Sequence, residues 1–307
     1  MKVIGSAFVE FFPSSINQDI EDVRSFRKGI GGSGANIAIA EARLGARTQL
    51  ISAVGKDPFG RFVLAYLKKE RIDCTTVREE EGYKTGISFY EVDRDGRSGY
   101  YFYRFPGISM PEERIDLSEV EFENGEIVSL TEAAIRSKRF DVEHLRRTEI
   151  FYEPNIRKEF WTEELRKKTM TVVKKSHAVF PNREELYLLT GERNSEKGAK
   201  VLLKYADLVV VKLGKDGAEL FTKKDHFTVS GLKVKPKSEI GAGDTFHASF
   251  ISALCDGKEA GEALIQANKA AAFRVATGKF PRKRNIVRGE GFEPTDAFAT
   301  GPSSLRL

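Results

Sequence analysis

Cysteine, methionine and tryptophan are scarce in this chain, which has two, three and one of them among its 307 residues. Two cysteines, Cys74 and Cys255, cannot build a disulfide framework, so a reducing cytoplasm is the expected setting. No apolar run approaches the roughly 18 residues that a transmembrane helix needs, and no membrane partner is expected. The first residues, MKVIGSAFVEFF, lack a basic leader and are interpreted as a first strand.

Signals for three other kinds of site are also missing. The G-x-x-x-x-G-K-[ST] pattern of a P-loop occurs nowhere. The net charge is +5, but apart from a cluster at 282–288 the basic residues are spread out, and no nucleic-acid partner is expected. The four histidines are scattered and predict no metal cluster: His144, His177, His226 and His247.

What is present is an alternation of apolar, β-branched runs with helical patterns, in a chain long enough for one large domain. Strands are predicted at 2–12, 48–54, 125–130, 148–152, 177–180 and 207–213. Helices are predicted at 34–44, 59–70, 131–146, 161–175, 183–190, 195–205, 243–256 and 259–277. The run DLVVVKL (207–213) is apolar on both faces, which is typical of a central parallel strand covered by helices. The alternation predicts a doubly wound α/β fold with a mostly parallel sheet flanked by helices.

Two segments depart from this rhythm. The stretch GISFYEVDRDGRSGYYFYRF (86–105) predicts a hairpin with Asp95-Gly96 at its tip. It is either an edge hairpin that packs on the core or a lid that covers a ligand or pairs with a second subunit. The tail at 279–307 shows no helical or strand period, and we expect it to be loosely ordered or to lie over the surface.

Two glycine-rich stretches precede predicted helices, GIGGSGANIAIAEARLG (29–45) and SEIGAGDTFHASF (238–250). In the second, the N–H groups of Ala242, Gly243 and Asp244 are expected to lie unpaired at a helix N-terminus, which favours an anion. Asp244 can cap the helix, or it can accept a proton from a substrate hydroxyl. An anion cradle beside a base suits phosphoryl transfer to an alcohol.

Five stretches, in order, resemble the signatures of the PfkB, or ribokinase-like, carbohydrate kinases. They are GGSGANIAIAEARLGARTQLISAVGKDPFG (31–60), EPNIRKEFW (153–161), NREE (182–185), VVVKLGKDGAELF (209–221) and GAGDTF (241–246). The resemblance covers about residues 1–278 and implies an ATP-dependent sugar kinase that uses Mg²⁺. It also implies an α/β core at 1–12, 31–85 and 106–278 and a β lid at 13–30 and 86–105, with 279–307 as an atypical tail.

The resemblance assigns roles to individual residues. Asp244 matches the catalytic base. The anion hole matches Gly241, Ala242 and Gly243. The nucleotide site matches Asn182, Lys212, Gly214, Gly217 and Asn268, and Glu185 matches the residue that organises Mg²⁺ through water. The sugar site is expected to include Glu10, Gly32, Asn36, Phe102, Arg104 and Arg157. Separately, the aromatic second strand of the 86–105 hairpin predicts a homodimer formed through the lid.

Three positions depart from the family pattern and bear on the substrate and cations. Glu10 and Glu153 stand where many members have aspartate, which leaves the sugar open between fructose and 2-keto-3-deoxygluconate. Ser238-Glu239-Ile240 replaces the usual D-T-T, whose aspartate belongs to a monovalent-cation site, so a K⁺ requirement stays open. The alternatives are a nucleoside kinase of the same family and a catalytically degenerate sugar or nucleotide sensor.

Overall fold

The computed structural model describes residues 1–15, 17–92, 98–103, 114–288 and 299–300. The strands in these ranges are β1 (Lys2–Ile4), β2 (Phe8–Pro13), β3 (Phe26–Gly31), β4 (Gln49–Gly55), β5 (Val77–Glu80), β6 (Ile87–Val92), β7 (Ser98–Tyr103), β8 (Ile127–Thr131), β9 (Glu149–Glu153), β10 (Ser176–Val179), β11 (Leu208–Lys212), β12 (Gly217–Phe221), β13 (His226–Ser230) and β14 (Ala299–Thr300). The helices are α1 (Ser33–Leu44), α2 (Pro58–Lys69), α3 (Glu132–Ile135), α4 (Glu163–Val173), α5 (Arg183–Thr190), α6 (Ser195–Leu202), α7 (Ala242–Cys255), α8 (Ala260–Thr277) and α9 (Lys283–Arg288).

Within the described ranges, the main sheet has ten strands in the order β14-β13-β12-β11-β10-β9-β8-β1-β4-β5. The adjacent strands β11, β10, β9, β8, β1, β4 and β5 run parallel, whereas β12, β13 and β14 pair antiparallel at one edge. This confirms the predicted doubly wound, mostly parallel α/β fold.

Strand β11 shows why its sequence is apolar on both faces. Val209 and Val211 pack in one buried cluster with residues of α4, α5 and α6. Leu208 and Val210 point the other way and pack with residues of α7 and α8. Because successive side chains in a strand alternate in direction, a strand between two helical layers needs an apolar residue at nearly every position.

Among the described residues, a second, four-stranded sheet in the order β3-β2-β6-β7 contains the segments predicted as the lid, and we call it the lid sheet, or lid, below. The prediction of one strand over 2–12 is wrong, because the chain leaves the main sheet at Gly5, and β2 belongs to the lid. A Cβ at Gly5 would stand 2.3 Å from the Thr131 hydroxyl and 3.0 Å from the Gly34 Cα, so only glycine fits this crossing. The pairing of β6 with β7 confirms the hairpin, although its predicted Asp95-Gly96 tip lies outside the described residues.

Two other predictions of secondary structure need correction. The segment predicted as one helix over 131–146 forms only α3 and a short 3₁₀ helix, Val142–Leu145. Its middle turns away because the Ser137 hydroxyl donates to the Ile115 carbonyl and accepts from the Arg139 N–H, which competes with helical bonding. The tail, in which we found no helical or strand period, forms α9 at 283–288 and β14. The expectation that it is loosely ordered or lies over the surface falls mostly on residues 289–298 and 301–307, which lie outside the described residues.

No helix among the described residues combines the length and the apolar character needed to cross a bilayer.

Candidate active site

A cavity of about 200 Å³ lies between the lid and the N-terminal end of α7. It brings together most of the site residues predicted from sequence, which come from segments far apart in the chain. Those that line it are Glu10, Gly32, Asn36, Phe102, Arg157, Asn182, Glu185, Lys212, Gly241, Ala242, Gly243 and Asp244.

Asp244 is held at the wall of this cavity by two amide groups. The Asn36 side chain donates to its Oδ2 at 2.8 Å, and the Asn155 side chain donates to its Oδ1 at 3.2 Å. Burial raises the pKa of Asp244, while the Asn36 hydrogen bond and the charges of Lys212 and Arg157 hold it down. A fixed carboxylate with a raised pKa is suited to accept a proton from a hydroxyl group in the cavity.

The loop before α7 forms the predicted cradle, with one difference in its donors. The Ala242 N–H donates to the Glu239 carbonyl at 3.2 Å, so it is used by the loop itself. The N–H groups of Gly243 and Asp244 lie in the first turn of α7, where the helix offers them no acceptor. Gly241 precedes them with a φ of 69°, a left-handed conformation that favours glycine. The cradle therefore presents two backbone donors at a helix N-terminus.

A buried ion pair stands beside this cradle. The Lys212 ammonium contacts Glu153 Oε1, and a Cβ at Gly243 would lie 3.4 Å from the Lys212 Nζ. Although burial opposes its charge, the neighbouring Glu153 and Glu185 raise the pKa of Lys212. Lys212 is therefore a cation at the edge of the anion cradle, where it can meet a phosphate oxygen.

The lid contributes the opposite wall. Arg157 lies with its guanidinium 5.0 Å from the ring centre of Tyr100 and 5.6 Å from that of Phe102. Glu10 is 2% exposed and accepts a hydrogen bond from Ser88. Burial raises the pKa of Glu10 to about 7, so this carboxyl group is partly protonated near neutral pH. The wall joins an aromatic surface to one guanidinium and one weakly acidic carboxyl group.

Asn182 and Glu185 form a capping box at the start of α5. The Asn182 side chain accepts from the Glu184 and Glu185 N–H groups, and the Glu185 Oε2 accepts from the Asn182 N–H at 2.8 Å. The other Glu185 oxygen accepts from the Ile156 N–H at 3.1 Å. Both residues face the cavity, but the contacts seen here are those of a helix cap.

Three residues predicted for the nucleotide site do not line this cavity. Gly214 and Gly217 shape the turn between β11 and β12, and a Cβ at Gly217 would lie 2.0 Å from the Val229 carbonyl. The Asn268 side chain donates to the Ser230 carbonyl at 2.8 Å and so joins α8 to β13. Arg104, predicted for the sugar site, lies outside the described residues.

Several residues that line the cavity were not predicted as site residues, among them Asn155, Glu132 and Arg136. Asn155 lies in the EPNIRKEFW motif (153–161). Its left-handed backbone, with a φ of 47°, and its hydrogen bond to Asp244 could not be predicted from that motif. Glu132 and Arg136 line the floor as an ion pair at 3.4 Å. They fall in the segment wrongly predicted as one long helix, where no pattern marked them.

Comparisons with known proteins agree with this geometry. The family model described as "pfkB family carbohydrate kinase" matches residues 2–279. A probable fructokinase-2 from Arabidopsis thaliana is 29% identical, over 89% of this chain and 87% of its own length. A 5-dehydro-2-deoxygluconokinase from Clostridium tetani is also 29% identical, over 89% and 86%.

Among solved structures, a fructokinase from Vibrio cholerae O395 with fructose, ADP and calcium ion bound is 26% identical to this chain. It superimposes with a TM-score of 0.81 over 95% of this chain and 99% of its own. A double mutant of that fructokinase has been solved with fructose, ADP and potassium ion bound, at a TM-score of 0.79.

Proposed function

Since this chain belongs to the pfkB family of carbohydrate kinases and is an ATP-dependent sugar kinase, we propose that it phosphorylates a primary hydroxyl of a sugar acid. Fructose, a neutral ketose, is the alternative acceptor. The observation that carries the reaction is the position of Asp244, whose carboxylate faces the cavity beside the N-terminal cradle of α7. A proton acceptor and an anion site then lie within one small cavity.

The residues that line the cavity have separate roles in phosphoryl transfer. Asp244 accepts the proton of the sugar hydroxyl as that oxygen becomes the nucleophile. The N–H groups of Gly243 and Asp244 and the Lys212 ammonium stabilise negative charge on the transferred group. Asn36 and Asn155 keep the carboxylate oriented through their hydrogen bonds to its two oxygens.

The donor set fits ATP and Mg²⁺. The cradle and Lys212 supply the backbone N–H groups and the cation that phosphate oxygens need. Among the described residues, no group of three His, Cys, Asp or Glu side chains could hold a metal ion. Mg²⁺ keeps several water molecules and prefers phosphate oxygens in kinase sites, which suits a single water-bridged carboxylate such as Glu185. When bound, Mg·ATP supplies the phosphoryl group and neutralises part of its charge.

The lid wall favours an acidic sugar. The Arg157 guanidinium, stacked near Tyr100 and Phe102, can hold a substrate carboxylate through charge-assisted hydrogen bonds. Glu10 would repel that carboxylate if it were fully ionised. Because burial raises the pKa of Glu10 to about 7, the repulsion is reduced at neutral pH. The similarity to a 5-dehydro-2-deoxygluconokinase supports an acid, and that to fructokinases supports a ketose.

The test of the function is ADP release from Mg·ATP with a panel of acceptors: 2-keto-3-deoxygluconate, 5-dehydro-2-deoxygluconate, fructose, ribose and adenosine. We expect the highest kcat/KM for one of the two acids. Turnover of adenosine alone would make the protein a nucleoside kinase. Binding of ligands without ADP release from any acceptor would make it a sensor.

Replacing Arg157 with alanine separates the two sugar classes. For an acid, loss of a charge-assisted contact worth about 1.5–3 kcal/mol should raise KM by about tenfold or more. For fructose, KM should change little. Steady-state kinetics on both substrates provides the measurement, and Arg157→Lys serves as the control that keeps the charge. Equal losses on both substrates would leave fructose as the better assignment.

The outer surface of the lid supports a homodimer as part of the same proposal. Strand β7 lies at the edge of the lid sheet, and its Tyr101 and Tyr103 are 45% and 57% exposed. Exposed aromatics on an edge strand are suited to bury against a second copy. Tyr103→Arg is expected to shift the protein from dimer to monomer in sedimentation velocity. A wild-type protein that is monomeric at micromolar concentration would contradict the dimer.

A cytoplasmic location completes the proposal, supported by two free cysteines, Cys74 and Cys255.

A further inference from the structure

The segment before the anion cradle lies against the last turn of α8. The N–H groups of Lys237 and Ser238 both donate to the Val275 carbonyl, at 2.9 and 3.2 Å. In the family pattern this segment carries the aspartate of a monovalent-cation site, and here Ser238 stands in its place. The residues around it decide whether a potassium ion fits.

Arg274, on α8, occupies the space between the two segments. Its Nε donates to the Ile240 carbonyl at 2.8 Å, and its Nη1 donates to the Gly278 carbonyl at 2.5 Å. The guanidinium lies 4.0 Å from the ring centre of Phe280, and the residue is only 8% exposed. The guanidinium thus joins the segment before the cradle, at Ile240, to the C-terminal end of α8, at Gly278.

This guanidinium lies directly beneath the anion cradle. A Cβ at Gly241 would stand 3.5 Å from both Nε and Nη2 of Arg274. Burial lowers the pKa of Arg274 to about 10, and the charges of Asp244 and Glu10 oppose that shift. The group therefore carries a positive charge at neutral pH, close to the N-terminal end of α7.

A potassium ion does not fit beside it. Such an ion needs several oxygen ligands, and the Ile240 and Gly278 carbonyls already accept hydrogen bonds from Arg274. A potassium ion bound by these carbonyl oxygens would lie next to the guanidinium, and two like charges this close repel each other. The aspartate that would offset a bound ion is replaced by Ser238, whose hydroxyl carries no charge.

We propose that the Arg274 guanidinium takes the place of a monovalent cation, so that this kinase needs no potassium. The inference rests on the kinase function proposed above. Arg274 acts as a positioning residue: it fixes the Gly241 loop and adds positive charge behind the cradle, but it does not line the cavity that holds Asp244.

The first test compares the wild-type enzyme in potassium chloride and in tetramethylammonium chloride at equal ionic strength. We expect kcat to differ by less than about twofold, since only general screening remains. Activation by potassium of about fivefold or more would overturn the inference, because that exceeds what matched screening allows. No ADP formation in either salt would instead count against the kinase function, so the two failures are distinguishable.

The second test removes the guanidinium. In tetramethylammonium, Arg274→Ala should lose about tenfold or more in kcat, less than the 10²–10³ typical of a direct oxyanion donor. Potassium should restore part of the loss, because the Ile240 and Gly278 carbonyls lose their guanidinium donor, and Gly278 and residue 274 line a neighbouring cavity of about 520 Å³ through which an ion can enter. A variant that is fully active without potassium would overturn the inference. If the variant does not fold, the wild-type salt comparison decides alone.

Arg43 provides the matched control. It lines the same neighbouring cavity, but its guanidinium pairs with Glu70 at 2.6 Å. Arg43→Ala should lower the melting temperature without creating a response of kcat to potassium. A potassium response in both variants would show a general effect of loosening this region and would also overturn the proposal.

Discussion

Asp244→Asn is expected to lower kcat by about 10²–10⁴-fold, the usual contribution of a general base. The amide is nearly the same size as the carboxylate but does not accept a proton. It also turns an NH₂ group towards either Asn36 or Asn155, both of which donate to Asp244 in the wild type. We therefore expect a small fall in stability, an unchanged affinity for ATP and a large loss of turnover.

The measurement is ADP release at saturating substrates, together with nucleotide titration and thermal unfolding. Asp57→Asn is the matched control. Asp57 is also a buried aspartate at a helix N-terminus, where it accepts from the Phe59 and Gly60 N–H groups. Its loss should lower stability and leave kcat unchanged. An Asp244→Asn enzyme within about threefold of wild type would remove Asp244 as the base.

Lys212→Met should damage both stability and catalysis. The buried Glu153 carboxylate contacts Lys212, and breaking such a pair by removing one partner typically costs about 3–5 kcal/mol. The cradle also loses its neighbouring cation, for which we expect kcat to fall by about 10²–10³-fold. Denaturant unfolding and steady-state kinetics measure the two effects separately.

The double variant Lys212→Met with Glu153→Gln separates structure from chemistry. Removing the unpaired charge should return most of the free energy of unfolding, because the remaining groups are neutral. It should not return kcat, since the ammonium that we expect to contact the transferred phosphate is still absent. If the double variant recovers both stability and kcat, Lys212 only holds Glu153 in place and has no direct role in the reaction.

Much of the site was predictable because its strongest signals are local. Gly241, Gly243 and Asp244 lie within four residues. That short stretch is enough to predict a helix N-terminus whose backbone N–H groups can bind an anion. The apolar runs of strands such as β11 likewise predicted the central sheet, because a strand buried on both faces has a continuous apolar run in its sequence.

Long-range contacts account for most of what could not be predicted. Lys212 was expected at the nucleotide, but its partner Glu153 lies 59 residues away in the chain. The chain leaves the main sheet at Gly5, where Gly34 approaches closely. Hydrophobic periodicity does not predict such a contact. In the sequence, nothing distinguishes Arg274 from other basic residues on predicted helices. Its hydrogen bond to the Ile240 carbonyl is visible only in the folded structure.

The short strand β14 bears on how this protein behaves when it is shortened or partly unfolded. Ala299 and Thr300 pair with Val229 and Thr228 and cover part of the outer strand β13. A chain cut before residue 299 would expose that backbone edge, which is free to add a strand from another molecule. An exposed strand edge of this kind favours aggregation during expression and refolding. Residues that look dispensable for phosphoryl transfer thus contribute to colloidal stability.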